Sequence, residues 1–285
     1  MLQLSLITIN LNNKEGLLQT IRSVLQQSFE SFEYIIIDGG STDGSLDIIR
    51  ENSAFINYWT SEPDNGIYHA MNKGINVAKG KYCLFLNSGD WLSGPEILRR
   101  ALADQSDADI ISGDIYFYDN VKQAIKWLVP SPDQVTAKTL FLGTLPHQAT
   151  FIKRSLFDTI GLYNEQLRIT SDWLFFLEAL FVFNCTYLHY TGVIAYFNMD
   201  GISCDPRTEL LRKQEQLRIL QQKYPLFLPD YELLNRLENQ TFEWLESREF
   251  RVYKSLENMG VIRFGVFCQR ITRAIQRKLH LTINR

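Results

Sequence analysis

A chain of 285 residues, 45% of them hydrophobic, can bury one large core and carry an appended piece, which excludes a disordered or fibrous protein. Its 29 basic and 32 acidic residues leave a formal net charge of -3, so no overall positive field draws in nucleic acid. Cys83, Cys185, Cys204 and Cys268 are scattered without C-x-x-C spacing, which argues against a zinc site or a disulfide framework.

The first third alternates short apolar runs with helix-period segments, the pattern of β-α-β units around a parallel sheet. Strands are expected at residues 4–9, 34–37, 56–60 and 82–86. Leu17, Leu18, Ile21, Val24 and Leu25 recur at helical spacing between the first two strands, and Ile67, Ala70, Met71, Gly74, Ile75 and Ala78 do so before the fourth. Both stripes are core faces. Ser93-Gly94-Pro95-Glu96 has capping-box spacing with a proline in the first turn and predicts a third helix starting there.

Residues 108–117 and 124–129 are expected to be strands, and a helix-and-loop stretch leads to Pro146-His147-Gln148. Ser171-Asp172-Trp173 opens an apolar helical run over 174–183. From residue 208 onward the chain is charged and helical, interrupted by Pro225 and Pro229. The composition shift places a boundary near residue 205, giving domains 1–205 and 206–285. No signal-peptide pattern opens the chain and no apolar run reaches about 18 residues, so the expected location is cytoplasmic, at most peripheral to a membrane.

Polar residues cluster just after each early strand: Asn10 and Asn12, then Asp38, then Glu62 and Asp64, then Ser88 and Asp90. In an open parallel sheet the carboxyl ends of the strands share one edge, where ligands bind. Each cluster alone is an ordinary turn; four in succession converge on one crevice. The first loop, Asn10-Leu11-Asn12-Asn13-Lys14-Glu15-Gly16, lacks G-x-G-x-x-G, and no G-x-x-x-x-G-K-[ST] occurs, which disfavours dinucleotide and P-loop chemistry. The glycine-rich stretch instead follows the second strand, and its Asp38 could accept a hydrogen bond from an imide N–H of a base.

A nucleoside diphosphate would be repelled by such carboxylates unless a cation intervened. Magnesium and manganese bind through one or two carboxylates plus phosphates and water. Asp90 is the first candidate ligand, the alternative being that residues 87–90 only cap the next helix.

Three runs carry a family resemblance: Tyr34-Ile35-Ile36-Ile37-Asp38-Gly39-Gly40-Ser41-Thr42-Asp43-Gly44; Ser61-Glu62-Pro63-Asp64-Asn65-Gly66-Ile67-Tyr68, continued by Ala70-Met71-Asn72-Lys73-Gly74; and Phe85-Leu86-Asn87-Ser88-Gly89-Asp90. Residues 3–205 resemble the family-two inverting glycosyltransferases of the GT-A fold. The resemblance implies an α/β, doubly wound, mostly parallel sheet with a C-terminal helical extension. It also implies transfer of a sugar from a nucleotide donor, usually a UDP-sugar, to an acceptor hydroxyl.

Carried over by residue, Thr8 and Asn10 line the nucleotide pocket, Asp38 reads the base, Asp64 lies near the nucleoside and Lys73 near the donor. Asp90 is the last residue of the metal motif D-x-D and would hold Mn2+ or Mg2+; Ser88 stands where the first aspartate is usual. His69 replaces a frequent aspartate. His147 is a candidate for the diphosphate, metal or acceptor. Asp172 matches the catalytic aspartate, a general base for the acceptor hydroxyl, at a position that also suits a helix cap. Trp173 could stack on a sugar or fill core, and Gly201-Ile202-Ser203 matches a flap over the diphosphate.

Residues 261–285 hold six basic residues (Arg263, Arg270, Arg273, Arg277, Lys278 and Arg285) and no acid, interleaved with apolar ones, a pattern suited to an anionic membrane surface bearing a lipid-linked acceptor. The preceding helix, near 231–256, could form a homodimer contact. The competing readings are a sugar nucleotidyltransferase, which would show a basic glycine-rich loop after the first strand, and a nucleotide-sugar-binding or scaffold subunit without turnover.

Overall fold

The computed structural model describes residues 2–103, 107–200 and 206–258. Contacts divide the chain into a unit ending at Leu228 and another beginning at Pro229.

The first unit is an α/β fold on one nine-stranded sheet. Its N-terminal half is parallel, in the order β3 (Tyr58–Ser61), β2 (Phe32–Asp38), β1 (Leu4–Asn10) and β4 (Tyr82–Phe85). Every residue of β1 and β4 is buried, as expected for central strands covered on both faces. Two crossover helices do the covering: α1 (Lys14–Leu25) buries Leu17, Ile21 and Val24, and α3 (Ile67–Val77) buries Ala70, Met71 and Ile75. Gly74 lets α3 lie tightly on the sheet, since a Cβ there would stand 2.5 Å from Ile7 Cγ2. The shorter α2 is Ser45–Glu51.

Strand register is what builds the site. Asn10 pairs with Asp38 and Asp38 with Ser61, so three polar strand ends lie level along one edge.

Beyond β4 the sheet is mixed. β8 (Thr150–Lys153) runs antiparallel to β4 and to β6 (Ile110–Asp119); β6 pairs in parallel with β9 (Tyr187–Asn198), and β9 in antiparallel with β5 (Trp91–Leu92). The hairpin strand β7 (Ala124–Val129) pairs with β6. The expected helix at Ser93 is shifted. Ser93 N donates to Ile194 O at 2.9 Å and its hydroxyl donates to Val193 O, so β9 captures the residue meant to cap, and α4 (Ile97–Ala101) begins later with no side-chain cap.

Short helices α5 (Ala137–Leu142) and α6 (Ser155–Thr159) precede α7 (Ser171–Leu177), which continues as a π turn over Glu178–Val182. α8 (Pro206–Lys223) belongs to this unit although composition assigned it to the extension. Its buried Glu215 accepts from Arg168 N at 2.7 Å, Ile169 N at 3.2 Å and the Thr170 hydroxyl at 2.9 Å. It thereby anchors the loop that leads into α7.

The second unit contains α9 (Leu228–Glu246), which begins at the boundary, and α10 (Arg248–Asn258). The single helix expected near 231–256 is broken at Ser247, whose hydroxyl accepts from Phe250 N at 3.1 Å, an N-cap that restarts the helix. Among the described residues no helix is long and apolar enough to cross a membrane. The basic segment 261–285 and Gly201-Ile202-Ser203 lie outside the described residues.

Candidate active site

A cavity of about 830 Å³ opens at the carboxyl edge of the parallel strands, a size suited to a small-molecule ligand. The four polar clusters do converge there: Asn10, Asp64, Ser88 and Asp90 all line it, with Gly39 beside Asp38. Glu15 and Asp200 add two more carboxylates, and no Lys, Arg or His belongs to the wall among the described residues.

The acidic loop is held by α1. Asn13 caps that helix by accepting from Gly16 N at 3.2 Å and reaches across to donate to Ser88 O at 2.8 Å. The Thr20 hydroxyl accepts from Gly89 N at 3.0 Å and donates to Asp90 O at 2.7 Å. Gly89 has φ +100°, and a Cβ there would stand 3.1 Å from Asn13 Nδ2 and 3.3 Å from Asn198 Nδ2, so the turn needs glycine.

Asp90 is 4% exposed. Its Oδ1 accepts from Asn198 N at 2.9 Å, and Gln148 also bonds the carboxyl. Burial dominates these bonds and pushes its pKa up to about 7. No Lys, Arg or His pairs with it among the described residues. Nearby on the wall, the buried Asn87 Oδ1 has no hydrogen-bond partner, and neither has Asn10 Oδ1.

An uncompensated carboxylate, with the unpartnered Asn87 oxygen on the same wall, is hard-oxygen chemistry that fits Mg2+ or Mn2+, which keep waters and substrate oxygens in their shell. The described residues hold no cluster of three or more His, Cys, Asp and Glu. Any cation here rests on Asp90 and ligand oxygens rather than on a protein cage.

Asp38 is fully buried. Its Oδ1 accepts from Asn10 Nδ2 at 2.7 Å and the Ser41 hydroxyl at 2.6 Å; Oδ2 accepts from Ser41 N at 2.9 Å and the Ser61 hydroxyl at 2.6 Å. Burial works against ionisation, yet these donors outweigh it and hold the carboxyl below its usual range. Asp38, the residue expected to read a base, ties β1, β2 and β3 together and shapes the Gly39-Gly40 loop. Asp64 faces the cavity; its Oδ1 lies 2.7 Å from Lys73 Nζ and 3.0 Å from His69 Nδ1. Lys73 also meets Glu62 Oε1 at 2.8 Å, so its charge sits behind Asp64 rather than on the wall.

Thr8 and His147, assigned to the site from the sequence, are buried and do not line the cavity. Thr8 is fully buried, its hydroxyl donating to Leu86 O at 2.8 Å and lying 3.1 Å from the Tyr34 hydroxyl. Both faces of β1 are covered, so a polar residue in this strand need not meet ligand. His147 stacks on Phe85 at a centroid distance of 4.6 Å, and its Nε2 meets the Tyr163 hydroxyl at 2.8 Å. Burial lowers its pKa against an opposing pull from Asp172, so it is a neutral core residue. The neighbouring Gln148 reaches the cavity instead. Trp173 is likewise core, 2% exposed, with Nε1 donating to Leu140 O at 2.6 Å.

Asp172, in the first turn of α7, accepts from the Tyr68 hydroxyl at 2.8 Å. Tyr68 stands on α3 next to Ile67, which lines the cavity. Burial first, and then the Asp172 charge, raise the Tyr68 pKa well above the ordinary phenol value. It therefore remains a donor and fixes the carboxylate. Sequence reasoning missed Gln148, Asn198, Asn120 and Gln19 on the wall; none sits in a motif.

Known proteins resemble this chain in sequence and in fold. A glycosyltransferase of Mycobacterium tuberculosis, itself uncharacterised, is 33% identical over 201 residues, 70% of this chain and 76% of its own. A PGL/p-HBAD biosynthesis glycosyltransferase of Mycobacterium bovis is 33% identical over 177 residues, 60% of this chain and 67% of its own. Among solved structures, S. aureus TarS 1-349 in complex with UDP aligns with TM-score 0.57 and 18% identity, covering 78% of this chain and 72% of that one. The mannosyltransferase PcManGT of Pyrobaculum calidifontis, in complex with GDP-Man and Mn2+, aligns with TM-score 0.54 and 12% identity over 90% and 84% of the two chains. Both likenesses establish the GT-A fold. The profile of Glycosyl transferase family 2 matches residues 5–161, the segment that carries the acidic loop and both crossover helices, and the chain belongs to that family.

Proposed function

We propose that this glycosyltransferase moves a sugar from a UDP-sugar to a hydroxyl of a glycan or glycolipid with inversion, using Mn2+ or Mg2+ at Asp90 and Asp172 as general base. One observation carries the proposal. The cavity wall holds four carboxylates and no basic side chain among the described residues, so a diphosphate is accommodated only with a cation between it and the wall. TarS, solved with UDP and with UDP-GlcNAc, supports a uridine donor.

Asp64 and Asn10 line the part of the cavity assigned to the nucleoside. Asp90, with Asn87 near it on the wall, would hold the cation together with ligand oxygens, and the cation would supply charge neutralisation for the diphosphate. Asn198 and Gln148 keep the Asp90 carboxyl aimed at that place.

At the anomeric carbon the acceptor oxygen forms its bond as the bond to the phosphate oxygen breaks, and the diphosphate departs with that electron pair. Tyr68 occupies Asp172 Oδ1, which leaves Oδ2 to take the acceptor proton. A lipid-linked acceptor is favoured by the basic composition of residues 261–285, and the helices beyond Pro229 are the proposed homodimer contact.

The test is the product's anomeric configuration by NMR from an α-linked UDP-sugar. A β-product that disappears in Asp172→Asn supports the proposal; an α-product, or unchanged turnover in that variant, contradicts it.

A further inference from the structure

A second concave surface adjoins the donor cavity. Trp91 directly follows Asp90 in the chain. It pairs across β5 and β9 with Tyr196, and Tyr196 pairs across β9 and β6 with Tyr116. Residues in register across neighbouring strands share a face, so three rings form a row across three strands. Trp91 stacks on Tyr196 at a centroid distance of 4.9 Å and an interplanar angle of 6°. Tyr116 meets Tyr196 at 5.3 Å, and Tyr118, two residues further along β6, stands edge-on to Trp91 at 4.9 Å.

All four rings are half-buried. Among the described residues neither Trp91 Nε1 nor the hydroxyls of Tyr116 and Tyr196 have a hydrogen-bond partner, while Tyr118 donates weakly to Gln123 Oε1 at 3.3 Å.

The row would be only a cross-strand ladder if nothing lay over it. Instead Trp91, Tyr118 and Tyr196 floor a hollow of about 520 Å³. Trp91, Tyr118 and Gln123 also line a second hollow of about 470 Å³, to which Gln19 and Asn120 contribute. Gln19 and Asn120 in turn line the donor cavity. The strands run the same way: Asn198, two residues beyond Tyr196, binds Asp90, and Asn120, two beyond Tyr118, lies on the donor cavity wall. One continuous trough therefore leads from the proposed cation site to the aromatic floor, walled by amide side chains together with Glu15 and Arg22.

We infer that this trough binds pyranose units of a glycan acceptor that lie beyond the unit being glycosylated. A pyranose presents a C–H face that packs on an aromatic ring and a rim of hydroxyls that amides bind, and rings with wet polar edges suit that double demand. A lipid chain would cover the Gln19 amide without pairing it, and Glu15 and Arg22 both line the trough, so it selects neither an anion nor a cation; a neutral glycan is the occupant that fits. The inference rests on the acceptor being a glycan.

The test uses the full chain on an immobilised array of bacterial surface oligosaccharides, from disaccharides upward, with UDP and Mn2+ titrated separately. Oligosaccharides are expected to bind whether or not UDP is present. Tyr118→Ala and Tyr196→Ala should each weaken that binding about tenfold, Tyr118→Phe should retain it, and UDP affinity should be unchanged in all three. Circular dichroism shows whether the variants fold, and the Tyr118→Phe comparison separates ring stacking from a folding defect.

A blank array, or equal binding by Tyr118→Ala and its parent, overturns the inference. UDP binding beside a blank array leaves the donor proposal standing and removes the trough. Oligosaccharide binding that Tyr118→Ala weakens, with no UDP binding, does the reverse.

Discussion

The Tyr68 hydroxyl donates to Asp172 Oδ1 at 2.8 Å, joining side chains 104 residues apart. It links the helix that walls the donor cavity to the helix bearing the proposed base. Asp172→Asn should lower transfer by roughly 10²-fold or more, the scale of a lost general base, while UDP binding by calorimetry stays intact. Tyr68→Phe should cost less, roughly tenfold, because the carboxylate remains but is no longer fixed. Turnover in Asp172→Asn equal to the parent's would mean that Asp172 serves only the structure of the first turn of α7.

Asp90 couples the site to pH. Its folded pKa is raised by burial to about 7 from 3.8, so between those values the folded chain holds a proton that the unfolded chain has released. Without metal, stability contributed by this group is present at low pH and is lost as pH rises through that window. Asp90→Asn should remove the loss, making the variant more stable than its parent near pH 8 in chelator. The same variant should lose the extra stabilisation that Mn2+ gives to bound UDP, measured by thermal denaturation.

Gly89 is expected to tolerate no side chain. At φ +100°, and with Asn13 Nδ2 only 3.1 Å from where a Cβ would stand, Gly89→Ala should destabilise the fold by about 1–2 kcal/mol in urea titration. Metal-dependent UDP binding should fall as well, since Asp90 is the next residue.

His147 titrates in the opposite sense to Asp90. Burial lowers its pKa from 6.5, so as pH falls the unfolded chain takes the proton first and stability declines through and below that value. His147→Phe keeps the ring packing on Phe85 and removes the titration. Its stability should change less than the parent's between about pH 7.5 and pH 5.5 in denaturant titrations, with the Tyr163 hydroxyl left unpaired at every pH.

Much of the site was legible because strand ends are local features. Asn10, Asp64, Ser88 and Asp90 follow apolar runs whose parallel pairing sets them level, and that edge is the cavity wall. What could not be read locally comes from the second half of the sheet. Asn198 reaches Asp90 across 108 residues, through a strand whose register against β6 shifts around Asp114, which blurs any alternation in sequence. Gln148 and His147 are neighbours in a 3-10 turn, where a single residue of phase decides which meets ligand and which fills core. Thr8 and Asp38 show that polarity in a strand covered on both faces serves internal hydrogen bonds first.

Whether a divalent cation holds a nucleoside diphosphate on the acidic wall is read from thermal denaturation with UDP and Mn2+, singly and together. At about a hundredfold excess over Kd, binding adds roughly 2.7 kcal/mol, which for a domain of this size raises Tm by several degrees. UDP with Mn2+ is predicted to give that rise, UDP in chelator much less, and Asp90→Asn none of the metal-dependent part. An equal shift with and without metal, or no shift with UDP at all, would mean that no cation holds the diphosphate at Asp90.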